Sequence, residues 1–186
     1  IDITKDAQFE KFDFSYSKCN GIRSYLPVPQ INMDMIDSAA EVINNAKKPF
    51  IVYGQGVILG EAENDLIKFI EKTGIPSAWT ILGLSAMPTD HRLNVGMVGM
   101  HGNYGPNILT NECDVLVAVG MRFDDRVTGD LSTYAKQAKI IHLEIDPAEI
   151  DKNVKADYPI LGNCKESLSL LLEKVNKNSH EKFKNN

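Results

Sequence analysis

The chain has 186 residues, of which 43% are hydrophobic and 24% charged, with 20 Lys and Arg against 25 Asp and Glu for a formal net charge of −5. That usage excludes a disordered chain, a collagen-like fibre and a coiled coil, and at roughly 100–200 residues per domain it leaves room for one domain with a tail, or two. The acidic balance argues against a nucleic-acid partner, no apolar run approaches the ~20 residues of a membrane helix, and no secretion signal opens the chain, so a cytoplasmic protein is expected.

In chain order, Ile1-Asp-Ile3 reads as the end of a strand whose beginning is missing. Residues 4–29 lack helical or strand periodicity but carry Phe9, Phe12, Phe14, Tyr16 and Tyr25. So many aromatics are unusual in a segment that never packs, so residues 1–30 read as the edge of a preceding domain and an inter-domain linker. From Asn32, a plausible N-cap, Ile36, Ala39, Ala40, Ile43 and Ala46 recur at helical spacing, and Lys47-Lys48 close that helix. Pro49–Tyr53 is a short apolar strand, Gly54-Gln-Gly56 a tight turn, and a second helix sets Ala62, Leu66, Phe69 and Ile70 on one face, with Gly74 and Pro76 ending it. Ser77–Thr80 is a second strand, and Gly83–Gly105 a long connection rich in Gly and Met. A helix follows from about Tyr104 to Glu112, then apolar strands over 114–119 and 139–145 and a short one around Ile160-Leu161. Asn163-Cys-Lys-Glu166 has the form of a capping box opening a last helix, and 177–186 is a polar tail expected to be frayed.

Apolar strands alternating with amphipathic helices predict an α/β fold: a doubly wound, mainly parallel sheet with helices on both faces. In such sheets ligands bind beyond the carboxyl ends of the strands, so the residues that follow each strand are the candidates. Gly54, Gln55, Gly56 and Gly60 form G-x-G-x-x-x-G, which differs from the dinucleotide fingerprint and is equally readable as a plain turn. Thr80 stands where an NAD site carries an acidic residue. Met97-Val-Gly-Met-His-Gly102 offers methionines to cover a planar ring and glycines for close approach, or a loop folded onto the core. Gly120-Met-Arg-Phe-Asp-Asp-Arg-Val-Thr-Gly129 is the richest segment. Arg122 and Arg126 suit a diphosphate, with Asp124 and Asp125 orienting them, and the bland alternative is a local salt-bridge cluster. Glu144 suits ribose hydroxyls and Asp146-Pro147 the start of a helix. Gly162-Asn-Cys164 follows the last strand. Cys19, Cys113 and Cys164 form no CxxC pair and the four histidines do not cluster, so neither a disulfide scaffold nor a metal site is expected.

Together Gly54-Gln-Gly56, Val98-Gly-Met-His-Gly102, Val119–Gly129 with its string RFDDRVTG, and Ile141-His-Leu-Glu-Ile-Asp146 resemble, in order and spacing, the central domain of the acetolactate synthase (acetohydroxyacid synthase) family of thiamine-diphosphate enzymes. The resemblance runs from Ile1 to about Val175. It implies a Rossmann-like domain of the DHS type (the NAD/FAD-binding kind), spanning 31–176, in a three-domain transferase. That enzyme condenses two 2-oxo acids with loss of CO2 for branched-chain (isoleucine and valine) amino-acid biosynthesis.

The family's chemistry belongs to thiamine diphosphate and Mg²⁺, while the central domain holds an FAD without a redox role in the overall reaction. By resemblance, Gly54, Gln55 and Gly56 lie against the FAD, Thr80, Ile81 and Leu82 line its adenosine–ribityl stretch, and Val98, Gly99, Met100 and His101 cover ribityl and isoalloxazine. Gly120, Met121, Arg122, Asp124, Arg126 and Val127 hold diphosphate and ribityl. Glu144, Ile145 and Glu149 meet the adenosine, with Gly162, Asn163 and Cys164 nearby. Asp125 and Arg126 also face the substrate channel where the family's herbicide inhibitors sit. The family's catalytic Glu, its GDG…N motif for Mg²⁺ and diphosphate, and an FAD-contacting arginine in a G-R-P-G-P segment have no counterpart in these residues; the sole Gly-Asp, Gly129-Asp130, is followed by Leu131. The resemblance therefore implies an excised domain, inactive by itself, whose partners are the other domains of its chain, further copies in a homo-oligomer and a small regulatory subunit. Two readings of other classes stand beside it: a self-standing NAD-dependent enzyme of similar fold, and a ligand-free structural or oligomerisation module.

Overall fold

The computed structural model describes residues 2–22, 25 and 27–180. Ile1, the expected end of a strand, and most of the polar tail lie outside them, while Asp2 and Ile3 join no strand. A single helical turn, α1 (Lys5–Phe9), interrupts the stretch read as aperiodic and buries none of its residues. Phe9, Phe12, Phe14, Tyr16 and Tyr25 all stay exposed, so the aromatics of this segment pack on nothing within the domain.

The domain starts at α2 (Met33–Asn45), where the Asn32 side chain accepts from the Asp34 N–H as the expected N-cap. Lys47 and Lys48 fall beyond the helix rather than in its last turn. Their backbone N–H groups donate to the Asp114 carboxylate at 2.7 and 2.9 Å, which ties this turn to the far strand. β1 (Pro49–Tyr53) is fully buried and runs directly into a short helix, α3 (Gln55–Leu59), in place of the expected tight turn. α4 (Glu63–Thr73) ends on Gly74 at φ +66°, a left-handed cap that glycine adopts without a Cβ penalty. β2 (Ser77–Trp79) leads through a 3-10 turn (Ile81–Gly83) into the long connection.

That connection contains a strand absent from the expectations: β3 (Asn94–Met97) pairs parallel to β2 across a register shift. Asn94 and Gly96 dilute its apolar pattern, so its strand character comes from the edge of β2 and not from its own residues. α5 (Tyr104–Glu112) matches its predicted limits. β4 (Val115–Val119) and β5 (Lys139–Glu144) follow, with α6 (Asp125–Thr128) between them. Asp146-Pro147 opens a run of turns and no helix; the Asp146 carboxylate is spent on the Ala148 N–H. β6 (Tyr158–Leu161) and α7 (Cys164–Lys174) complete the domain. The Asn163 side chain caps α7 through the Lys165 N–H at the second helical position, an ordinary N-cap in place of the expected capping box, whose bond would go to the third position, Glu166. Residues 176–178 are held rather than frayed: Asn176 N–H donates to Asn44 Oδ1 at 2.7 Å and Asn178 N–H to the Lys72 carbonyl at 3.0 Å.

All six strands are parallel, in the order β3-β2-β1-β4-β5-β6. That is the Rossmann-like doubly wound arrangement, whose order reverses between β1 and β4. One face carries α2, α4 and α7, whose Ile36, Ile43, Phe69, Ile70, Leu168 and Leu171 meet Ile51, Val117 and Ile141 of the sheet. The other face sets Phe50, Val52, Leu116 and Ala118 against Leu109 of α5 and against loop residues Phe123, Tyr134 and Ala156.

Candidate functional site

Strands β1 and β4 end side by side at the point where the sheet order reverses. Their loops cross in direct backbone contact: the Gly54 N–H donates to the Val119 carbonyl at 3.0 Å and the Gly56 N–H to the Gly120 carbonyl at 2.8 Å. A Cβ on Gly56 would lie 2.6 Å from Gly120 Cα, and Gly120 itself stands at φ +54° with Cys164 Sγ 2.8 Å from where its own Cβ would be. The glycines here serve the crossing of two loops, and the open cleft above is its consequence.

A cleft of about 530 Å³ opens over this crossing. Gln55 and Gly56 come to it from α3, Thr80, Ile81 and Leu82 from the turn after β2, and Val98, Met100 and His101 from the loop after β3. Gly120, Met121, Arg122, Asp124, Arg126 and Val127 follow β4, and Glu144 with Ile145 ends β5. Met97, part of the Met-rich stretch singled out in the sequence, lines it as well, and so does Leu59, which was not singled out. Seven expected residues stay outside the lining. Gly54 is buried beneath the crossing. Gly99 is held by Asn107, whose side chain accepts from its N–H at 2.9 Å and donates to its carbonyl at 3.0 Å. Asp125 points to solvent with an exposed side chain. Glu149 pairs with Lys152 at 2.7 Å. Gly162 packs on Ile31, Asn163 caps α7 and Cys164 is buried below Gly120. Burial, and Glu144 next, push the Cys164 thiol up to about 12, so it stays neutral.

The arginine-rich loop is organised by a cap rather than by ion pairs. Asp124 Oδ1 accepts from the Arg126 and Val127 N–H groups at 3.1 and 3.3 Å and opens α6. The ion pairs are long: Arg122 Nη2 to Asp124 Oδ2 is 3.9 Å and Arg126 Nε to Asp125 Oδ1 is 4.0 Å. Pairs this exposed and loose contribute about 0–1 kcal/mol and leave most guanidinium N–H groups for a ligand. The Met100 N–H donates to the Arg126 carbonyl at 2.8 Å, which fastens the loop after β3 to the loop after β4.

Beneath the loop lies His142, fully buried, with Nε2 at 2.9 Å from the Met121 carbonyl and Nδ1 without a hydrogen-bond partner. Burial drives its pKa below the ordinary 6.5, against the opposing pull of the Met121 contact and nearby carboxylates, so the ring is neutral and Nε2 carries the proton it donates. Sequence reasoning passed over His142 and Asn107. The former showed only as a polar residue inside an apolar strand, and the latter gave no signal. Among the described residues no group of three or more His, Cys, Asp or Glu could hold a metal ion, and no helix is long and apolar enough to cross a membrane.

The cleft lining combines two chemistries, which meet where Arg126 Nη1 lies 3.8 Å from Met100 Sδ. Leu59, Ile81, Leu82 and Met100 make an apolar, solvent-open rim, whereas Arg122, Asp124, Arg126 and Glu144 supply charge. Residues 36–171 match the family described as thiamine pyrophosphate enzyme, central domain. The chain belongs to that family. This central domain is 43% identical over 173 residues to the acetolactate synthase large subunit of Corynebacterium glutamicum, covering 93% of the chain and 28% of that relative. It is 43% identical over 175 residues to a protein assigned as the acetolactate synthase large subunit in Methanocaldococcus jannaschii, covering 92% of the chain and 30% of the relative. It also superimposes on the X-ray structure assigned to a thiamin diphosphate-dependent enzyme of Mycobacterium smegmatis, with a TM-score of 0.69, 25% identity, and coverage of 84% of this chain and 30% of that one. The central domain thus spans under a third of the length of the proteins it matches.

Proposed function

We propose that this chain is the FAD-binding central domain of an acetolactate synthase large subunit, the enzyme that condenses two 2-oxo acids with loss of CO2. The observation that carries the reading is the cleft at the switch point, lined by both apolar and charged side chains. An apolar rim suits a flavin ring, loosely paired Arg122 and Arg126 suit a diphosphate, and buried Glu144 suits the hydroxyls of a ribose. The chemistry supports the reading as well, since Glu144 Oε2 has no donor among the described residues and is free to accept one from a ligand. Thr80 at the end of β2 favours FAD over NAD, because an NAD site there calls for a carboxylate.

In this reading the bound FAD is a structural element without redox turnover. This chain's residues hold it: Arg122 and Arg126 bind charge, the Gly56–Gly120 crossing keeps the backbone low enough to admit it, and Met100 covers it. Thiamine diphosphate and Mg²⁺ belong to other domains of the same polypeptide, and homo-oligomer and regulatory-subunit contacts belong to the whole enzyme. Residues 1–30 then join the domain to its predecessor, and the exposure of Phe9, Phe12 and Phe14 accords with a segment that packs on another domain. The isolated chain is expected to form no acetolactate from pyruvate with thiamine diphosphate and Mg²⁺ supplied.

Thermal unfolding with FAD, ADP and NAD at about 1 mM tests the reading. A ligand held with Kd ~10 μM stabilises the folded state by ~2.7 kcal/mol, a shift of a few degrees at this size. A larger shift with FAD than with NAD is the expected result, and a shift with NAD alone overturns it.

A further inference from the structure

The carboxylate of Glu144 is built in a way that says which nucleotides the cleft refuses. Its side chain is only 9% exposed, yet Glu144 lines the cleft. One oxygen, Oε1, is fixed by the Ile145 N–H at 2.9 Å and the Asp146 N–H at 3.2 Å. The other, Oε2, receives no hydrogen bond from any described residue. The neutral His142 ring lies close by, with Nε2 3.9 Å away, and that nitrogen already donates to the Met121 carbonyl at 2.9 Å. No Lys or Arg among the described residues lies within ion-pairing distance of it; Arg122 and Arg126 face Asp124 and Asp125 instead.

An acceptor that faces the cleft with no protein donor is free to take one from a ligand, and a largely buried negative charge without a cation strongly repels a second. A ribose carries two adjacent hydroxyl donors that answer the first condition. A phosphate on that ribose offers no donor and meets the second.

We propose that Glu144 is the selectivity residue of the cleft. Its open oxygen accepts from the hydroxyls of an unphosphorylated ribose and excludes nucleotides phosphorylated at the 2′ or 3′ position. The inference rests on the nucleotide reading above and adds to it the class of ligand that is turned away. The two fixed amides matter as much as the charge, because they prevent the carboxylate from swinging aside to admit a phosphate.

Matched probes test this by displacement of FAD from the chain, read by flavin fluorescence. Dephospho-coenzyme A and coenzyme A differ only in a 3′-phosphate, and NAD and NADP only in a 2′-phosphate. Dephospho-coenzyme A is expected to displace FAD at concentrations at least roughly tenfold below those coenzyme A requires, and NAD to outcompete NADP in the same direction. In Glu144→Gln the amide can keep accepting from Ile145 and Asp146 while turning an N–H toward the cleft. The gap within each pair is then expected to shrink to within about threefold, and FAD itself to bind about tenfold more weakly. Ligand-free unfolding of this variant checks that it is folded; the probe pairs on the native chain decide the matter without it.

Equal displacement by both members of a pair overturns the proposal, as does failure of dephospho-coenzyme A to compete at all. An undiminished gap in a folded Glu144→Gln overturns it too. A native chain that binds no FAD overturns the cofactor reading itself, and the selectivity proposal with it.

Discussion

The two faces of the sheet are covered by different means. On one, α2, α4 and α7 lay down regular apolar stripes. On the other, α5 and the four-residue α6, through Val127, share the work with loops whose Phe123, Tyr134 and Ala156 fold inward. Phe123 packs edge-on against both Tyr134 and His142, with ring centroids 6.0 and 4.8 Å apart. The loop-covered face includes a neutral imidazole with an orphan nitrogen and a phenol whose oxygen has no partner. The helical face supplies stability through dense aliphatic packing. Among the described residues the helical face leaves one buried polar atom unpaired, Ser167 Oγ of α7, and the loop face two, on the side whose chain from 120 to 127 must also present the cleft.

If that contrast holds, substitutions on the two faces should separate. The largest effect belongs to the helical face: Phe69→Ala, at a fully buried position of α4, should lower stability by about 3–5 kcal/mol in urea unfolding. A loss under about 1 kcal/mol would break the comparison. Gly120→Ala comes next. It forces a non-glycine residue to φ +54° and a Cβ toward Cys164 Sγ and Gly56, so about 1–3 kcal/mol should be lost together with any thermal shift produced by FAD.

The loop face should show itself in acid. His142 has its pKa depressed by burial, so below its ordinary 6.5 the unfolded chain takes up a proton that the folded chain resists. Stability from this group is complete above pH 6.5 and declines as pH falls toward the folded pKa, at up to about 1.4 kcal/mol per pH unit. Unfolding measured from pH 7.5 to 5 should therefore fall more steeply for the native chain than for His142→Gln, and identical slopes would remove His142 as the cause. Arg122→Ala should leave unliganded stability within about 0.5 kcal/mol, since its ion pair is long and exposed, while FAD titration should show binding weakened by about 1.5–3 kcal/mol. Smallest of all, Tyr134→Phe removes a buried hydroxyl with no partner and should be neutral or stabilising by less than about 1 kcal/mol. A clear destabilisation would mean that the hydroxyl is satisfied.

Much of the fold was legible because the helical face writes itself in periodicity. Ile36, Ala39, Ala40 and Ile43 announce α2, and Leu66, Phe69 and Ile70 announce α4. The strand β3 was not legible, because an edge strand with Asn94 and Gly96 carries little apolar signal of its own. The cleft was largely readable from the rule that ligands gather after parallel strands, and the segments following β1, β2, β4 and β5 do converge there. Gly99, Glu149 and Asn163 did not join it. Each is occupied locally: by the Asn107 side chain, by Lys152 and by the cap of α7.

What the sequence determined by itself is the alternation of strand and helix, the ends of most elements, and the family, since these depend on local periodicity and on contiguous motifs such as RFDDRVTG. Only the tertiary structure decided that Gly56 and Gly120 touch, that Asp124 caps a turn while leaving the arginines loosely paired, and that one oxygen of Glu144 is fixed and the other open. The Gly56–Gly120 contact joins segments dozens of residues apart and is set by how the strands stack side by side, which no local pattern encodes. The Asp124 and Glu144 contacts lie within three residues, but which oxygen each carboxylate commits depends on the backbone path that follows its strand.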